Sequence, residues 1–480
     1  MSDDAGKQTN LDEIMDEYTE NESVEKHKKD DIDHSPEPDR SERVETTIGI
    51  MPADWNIKRL DDICEINPDG FSEDDWDGET FEYISLSEAS EGEILRSKTI
   101  PLDDAPDRAQ RKIKAGDVLV GTVRPKQVSH GLVTEEHDGK ICSSGFGVLR
   151  TGSDLNGFYL LQEVLSHRFF RQMEAYVAGS GYPAVNIGDL KKHRIGIPPV
   201  LEQRKIASIL YNINQGIQKT EEIIEQTKRV REGLLQDVME RGVTKEGHLR
   251  PQPSEAGNLF EEKEGIRVPP TWKVEQLADT GDWVSGKTPK RSESSYWGGS
   301  TPWISAKDMK TLRVGETEDS ITEIAVEDGA TIVPSDSVLV LVRGMTLDHS
   351  LPIVRPKKDV SFNQDVKAIL PHDEINPDYL AYWLESNERE ILGLVTEASH
   401  GTKRLSTESL GNVPVSIPPL DEQSTIVDRI MIFDSKFKEQ KSYAERLKRF
   451  KRGLMQDLLS GDIRTVDRDI DVLPEVEKYG

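Results

Sequence analysis

Ile197-Pro198-Pro199-Val200-Leu201-Glu202-Gln203 is written again, 220 residues later, as Ile417-Pro418-Pro419-Leu420-Asp421-Glu422-Gln423. Gly233-Leu234-Leu235-Gln236-Asp237 recurs at the same offset as Gly453-Leu454-Met455-Gln456-Asp457. No proline falls between the two landmarks of either copy, so each reads as one long helix, opened by a proline pair and closed near Gly242 or Gly461. Forty such residues span roughly 60 Å at 1.5 Å each.

A helix of that length needs a partner along its apolar face. The first copy sets Ile206, Leu210, Ile213, Ile217, Thr220, Ile224, Thr227, Arg231, Leu234 and Val238 at alternating steps of four and three. The second sets Ile426, Ile430, Phe433, Phe437, Gln440, Ala444, Leu447, Lys451, Leu454 and Leu458 in the same register, with its polar breaks at matching places. This narrow stripe is a coiled-coil seam and not a broad globular face. The two helices are expected to pair antiparallel, which would put a domain at each end of a rod about a pseudo-two-fold axis.

The preceding segments repeat as well. Pro52, Trp55 and Leu60 open the first half, and Pro269, Trp272 and Leu277 open the second, 217 residues on. Alternating apolar runs follow, Val118 to Val123 and Val338 to Val342, each ending on an arginine, Arg124 or Arg343, at an offset of 219. Further strands are expected at Tyr83 to Leu86, Gly147 to Arg150, Trp303 to Ser305 and Val366 to Leu370. A helix closes each half, from Phe158 to about Tyr176 and from Tyr379 onward. The expected architecture is α/β (α+β): two pseudo-repeated mixed domains at 51–199 and 269–419, with long helices at 200–241 and 420–461 forming an antiparallel coiled coil. An acidic, mostly disordered tail (1–50), a polar linker (242–268) and a loose acidic tail (462–480) complete the division. Residues 1–50 hold 16 Asp and Glu against 6 Lys and Arg; Leu11, Ile14, Met15 and Tyr18 keep helical spacing there, as a solvated helix or a docking face.

At 480 residues the chain exceeds a single core. It has no 18-residue apolar run and an acidic N-terminus, so neither a membrane span nor a signal peptide is expected. Cys64 and Cys142, the only cysteines, can build neither a disulfide framework nor a zinc ribbon, as suits a reducing cytoplasm. A net charge of −28 opposes nucleic-acid binding at ordinary ionic strength. In a salt-accumulating host, such as a halophilic archaeon, the Debye length falls to about 3 Å. A local basic patch there touches phosphate despite a distant acidic surface.

Two motifs offer enzymatic chemistry and fail on context. Gly281 to Thr288 has the spacing G-x-x-x-x-G-K-T, but no apolar strand precedes it and no helix follows. Asn376-Pro377-Asp378-Tyr379 resembles the Asn-Pro-Pro-Tyr motif of adenine methyltransferases; paired with Asn156-Gly157-Phe158-Tyr159, it reads as a helix cap. The ten histidines form no ligand cluster, and no nucleophilic triad or nuclease carboxylate–lysine set is present. The chain reads as non-catalytic, with no metal site.

Two mixed domains, each followed by a long helix entered through Pro-Pro-x-x-Glu-Gln, resemble the specificity subunit of type I restriction–modification systems. Ser285-Gly286-Lys287-Thr288-Pro289, Tyr296-Trp297-Gly298-Gly299 and Pro302-Trp303-Ile304-Ser305 carry the same likeness, which spans residues 50–465. The resemblance implies two target recognition domains, each reading half of a bipartite, asymmetric site in double-stranded DNA. It implies helices that set the spacing and dock two methyltransferase subunits, with restriction subunits joining the larger assembly. It places S-adenosylmethionine, ATP and Mg²⁺ in those partners, leaving this chain without a cofactor. The competing readings are a coiled-coil scaffold that binds protein only and the recognition part of a fused restriction–methyltransferase system.

For DNA contacts the sequence offers polar and basic groups beside strand ends and glycine turns. These are Arg124, Lys126, Gln127 and His130, with Ser180 and Tyr182, in the first half. In the second they are Lys290, Arg291, Lys307, Arg343, His400, Thr402, Lys403 and Arg404. Arg124 and Arg343 have an alternative role as anchors of a fold carboxylate.

Overall fold

The computed structural model describes residues 42–176, 183–397 and 401–480. They form two compact units, one ending at Glu221 and regaining Ser442–Gly480, the other Glu222–Lys441. Each unit therefore owns half of both long helices, which run Val200–Arg241 and Leu420–Ser460.

In the first unit a four-stranded antiparallel sheet has the order His130–Leu132, Val118–Gly121, Phe146–Thr151, Cys64–Ile66. A second sheet has the order Lys98–Pro101, Thr80–Ile84, Ile141–Ser143, Ala109–Lys112, its central pair parallel. The second unit repeats this plan with one parallel edge strand added, Arg313–Val314, which follows Gly281–Ser285, Val366–Pro371, Val338–Leu341 and Ile353–Pro356 in one sheet. Asp319–Ile321, Trp297–Ile304, Val360–Phe362 and Ile332–Val333 form the other. The central strands are apolar at every position because both faces are covered, which is why they read as runs and not as alternation.

The expected single helix from Phe158 to Tyr176 is two, Gly157–Leu165 and His167–Ala175. Ser166 divides them, its hydroxyl accepting the Phe169 N–H as a new N-cap. Asn156 and Asn376 cap their helices as expected, through the Tyr159 and Tyr379 N–H groups. The two tyrosines are buried and donate to Gly196 O and Ser416 O, both at 2.7 Å. This tethers each closing helix to the strand that leads into Pro-Pro.

The Glu-Gln pair locks each long helix to its own domain. Gln203, fully buried, accepts the Asn156 N–H at 2.9 Å and donates to Pro198 O at 2.9 Å and Asp154 O at 3.1 Å. Gln423 repeats all three bonds with Asn376, Pro418 and Glu374. Glu202 takes Arg464 and the Trp55 indole N–H, while Glu422 takes Arg250 and the Val243 N–H. The arginine comes from beyond the end of the other long helix in both cases, so each unit holds the start of one helix beside the end of the other.

That arrangement is antiparallel. Ile206, Leu210, Ile213 and Ile217 share a core with Leu447, Leu454 and Leu458 in the first unit. Leu234 and Val238 share one with Ile426 and Ile430 in the second. Ile224, Phe433 and Phe437 are half-buried. The polar breaks of the seam find partners: Thr227 donates to Gln440 at 3.0 Å, Arg231 pairs with Asp434 and Glu385, and Lys451 donates to Asn214 at 2.7 Å.

Three segments are more ordered than composition indicates. Arg43–Thr46 and Gly49–Pro52 form a hairpin, so folded structure begins within the expected 1–50 tail; the Leu11–Tyr18 segment lies outside the described residues. The linker carries the matching hairpin Glu261–Lys263 and Ile266–Val268. The expectation of a loose segment after Asp462 is not met. Lys205 donates to three carbonyls of residues 465–468, Leu473 N–H to Ser208 Oγ, Gly157 N–H to Tyr479 O, and Val476 is fully buried. Acidic composition counts exposed side chains, whereas this segment is held by its backbone carbonyls and a few apolar groups. No helix among the described residues is long and apolar enough to cross a membrane. Cys64 and Cys142 are buried, which pushes both thiols up to about 12.

Candidate nucleic-acid interface

In the second unit the chain leaves Val338–Leu341 and is stitched on both sides. Val342 and Arg343 N–H donate to Asp365 O, Gly344 N–H donates to Lys403 O, and Leu405 N–H returns to Val342 O. Arg343 and Arg404 are thereby bridge partners, both exposed. Asn363 accepts the Asp365 N–H through its side chain, a turn that leaves Gln364 exposed at its tip. Lys367 sits one strand across and donates to Ser285 Oγ. Arg343, Gln364, Lys367, Arg404 and Thr407 line a groove of about 280 Å³.

Thr288 donates to Gln364 Oε1 at 2.6 Å and joins this groove to a second one of about 340 Å³. Lys287, Lys290, Tyr296 and Asp328 line the latter, and the Tyr296 hydroxyl donates to Asp328. Five cations against one carboxylate on a continuous strip stand out on a chain of net charge −28. Such a strip can hold phosphates with its lysines and base edges with its arginines and glutamine.

Of the residues singled out in the sequence, Arg343 and Arg404 line the first groove and Lys290 the second. Arg291 stacks between Trp297 and Trp303, at 4.0 and 4.7 Å from the ring centroids, and pairs with Asp319 at 2.8 Å. Lys403 is tied to Asp348 at 3.1 Å and Glu397 at 3.5 Å, which raise its pKa and commit its charge locally. Lys307 pairs with Glu318 at 3.4 Å, outside both grooves. Thr402 is half-buried, and His400 lies outside the described residues.

The first unit presents a different surface. Arg124 is exposed in the left-handed region, φ +49°, its N–H donating to Pro183 O, and it opens the short turn Pro125–Gln127. Lys126 and Gln127 are exposed, with Lys126 3.9 Å from Glu174. His130 is not on that surface. It is 4% exposed, its Nδ1 accepts the Gly121 N–H at 3.1 Å, and burial lowers its pKa to about 4. A strand position with both faces covered took it into the core. Ser180 and Tyr182 lie outside the described residues.

Ladder register corrects the expected equivalence of Arg124 and Arg343. The bridge Val123–Ala184 corresponds to Arg343–Arg404, since 343 − 123 and 404 − 184 both give 220. The counterpart of Arg343 is therefore Val123, and that of Arg124 is Gly344. At the same offset Lys367 answers to Gly147 and Gln364 to Ser144. Arg343, Arg404, Lys367 and Gln364 thus all have uncharged counterparts in the first unit.

Gln364, Lys367 and Lys287 are absent from the sequence-derived candidates. A lysine interrupting the apolar run Val366–Leu370 and a glutamine inside Asn363-Gln364-Asp365 are the signals that point to the first two. Lys287 is hidden inside the phosphate-loop look-alike. There Gly281–Ser285 is itself a strand, the Lys287 N–H is spent on Phe362 O, and a Cβ on Gly286 would lie 2.1 Å from Asn363 O. Among the described residues no three His, Cys, Asp or Glu side chains are grouped to hold a metal ion.

The family model described as type I restriction modification DNA specificity domain matches residues 52–229 and 269–456. The chain is 34% identical over 166 residues to the EcoR124I/EcoR124II specificity subunit of Escherichia coli, covering 34% of this chain and 41% of that one. It is 23% identical over 442 residues to the MjaVIII specificity subunit of Methanocaldococcus jannaschii, covering 86% and 94%. Among solved structures, one from work on complex assembly and conformational transition of the type I R-M system aligns over 86% of this chain and 99% of its own. Its TM-score is 0.57 at 23% identity. The type I restriction–modification S subunit of M. genitalium aligns over 84% and 96%, with TM-score 0.52 at 15% identity. These two likenesses concern the fold.

Proposed function

We propose, from the premise that this chain belongs to the type I restriction–modification DNA specificity family, that each of its two domains reads one half of a bipartite, asymmetric DNA site. The coarse role follows from membership: a DNA specificity subunit of a restriction–modification complex, non-catalytic in itself. The finer reading gives the second domain its half-site through the basic strip and the first domain an unlike half-site through the Arg124 turn. The observation that carries it is one shared framework, extended in the second domain by the edge strand Arg313–Val314, with Arg343, Arg404, Lys367 and Gln364 replaced by Val123, Ala184, Gly147 and Ser144. Like scaffolds with unlike reading groups are what an asymmetric site requires.

The paired helices fix the spacing between half-sites and dock two methyltransferase subunits, with restriction subunits joining that assembly. S-adenosylmethionine, ATP and Mg²⁺ serve those partners. The acidic surface belongs to a host of high internal salt, a halophilic archaeon, where screening leaves only contact-range charge in play.

Sequencing of modified bases in the host genome, with and without this chain, tests the reading. Loss of one mark with two unlike halves separated by a fixed gap is expected. An unchanged pattern in a host whose methyltransferase subunits are expressed refutes it.

A further inference from the structure

Gln364 is placed as a reading group and not as a surface spectator. Its turn is pinned between the ladders of Val360–Phe362 and Val366–Pro371, and Asn363 closes that turn through its own side chain. The side-chain amide is then oriented from outside, because Thr288 donates to Oε1 at 2.6 Å. Among the described residues no partner takes the two Nε2 hydrogens, and Oε1 keeps a second lone pair. Arg343, Arg404 and Lys367 share its groove, and Lys287 stands on the other side of Thr288.

An amide with one edge free and its rotation fixed offers one donor and one acceptor side by side. That pairs with adenine in the major groove, Nε2–H donating to N7 and Oε1 accepting from the N6 amino group. Guanine presents two acceptors there and meets Oε1 with O6, a repulsive contact. The surrounding cations supply phosphate attraction without base preference.

We infer that Gln364 reads an adenine in the half-site of the second domain, and that Thr288 is the positioning residue that holds its amide in the reading orientation. This deepens the proposed function and rests on it. The first domain has Ser144 at the matching place, so the requirement is confined to one half-site.

The test uses the full chain co-purified with its methyltransferase subunits, a randomised duplex library, and sequencing of the retained DNA. Wild type should select a two-part motif with one adenine that Gln364→Ala relaxes about 10- to 100-fold, the worth of one paired contact. The other half-site should be untouched. Gln364→Glu, which presents only acceptors, should move the preference at that position toward cytosine. Thr288→Val should relax the same position at unchanged affinity for non-specific DNA and unchanged melting temperature, and Thr288→Ser should restore it. If Gln364→Ala leaves the motif intact while Arg343→Ala and Lys367→Ala weaken binding, the second domain still binds DNA and the role of Gln364 is overturned. If wild type selects no motif, the proposed function itself fails, and this inference with it.

Discussion

Replacing Gln203 by Met keeps the volume of a fully buried side chain and deletes its three hydrogen bonds. Each bond contributes about 1 kcal/mol net, so the bonds alone account for roughly 3 kcal/mol. The stranded Asn156 N–H, buried at the mouth of a helix, costs about 1–3 kcal/mol more. The gain from burying a thioether in place of an amide offsets part of this. A net loss of about 3 kcal/mol follows, which for a unit of some 200 residues lowers the melting temperature by roughly 6–12 °C. Calorimetry at fixed salt reads that shift. Hydrogen exchange should show faster amide exchange across Asp154–Tyr159, with no change across Glu374–Tyr379, where Gln423 makes the same three bonds. A variant that melts within about 2 °C of wild type, with protected Asn156, would refute the claim that this glutamine locks helix to domain.

Three further outcomes are expected. Burial depresses His130 to about 4 from an ordinary 6.5 and also lowers His193. The unfolded chain therefore binds the extra protons between these values, and stability, complete above pH 6.5, should fall steadily toward pH 4. His130→Asn, which retains an acceptor for Gly121, should flatten that slope in urea melts taken across the window. Gly242→Ala should destabilise by at least about 2 kcal/mol in the same assay, because φ is +64° and the new Cβ would lie 2.4 Å from the Trp272 ring. Lys287→Ala and Lys367→Ala should each weaken DNA binding uniformly across sequences and reduce the slope of log affinity against log salt by about one, measured by fluorescence anisotropy. An unchanged slope would remove that lysine from the phosphate contacts.

Much of this molecule was legible in one dimension because its largest features are periodic. A seam with steps of four and three needs only the helical repeat to be recognised, and the copy 220 residues away supplies its partner. The two asparagine caps were legible for the same reason, being local hydrogen bonds between near neighbours in the chain.

Features that depend on register across strands, or on contacts distant in the chain, emerge only on folding. The arginine-ended runs equate Arg343 with Arg124, whereas the ladder gives Arg343 Val123 as its counterpart, and a one-residue shift changes which face a side chain occupies. His130 reads as a loop cation until both faces of its strand are seen to be covered. Gln364 acquires an orientation only from Thr288, 76 residues away in sequence. The segment after Asp462 reads as loose until Lys205 and Ser208, more than 250 residues earlier, are found bonded to its backbone. Repeats and helical period are properties of a string, whereas burial and register come from what the folded chain sets beside each residue.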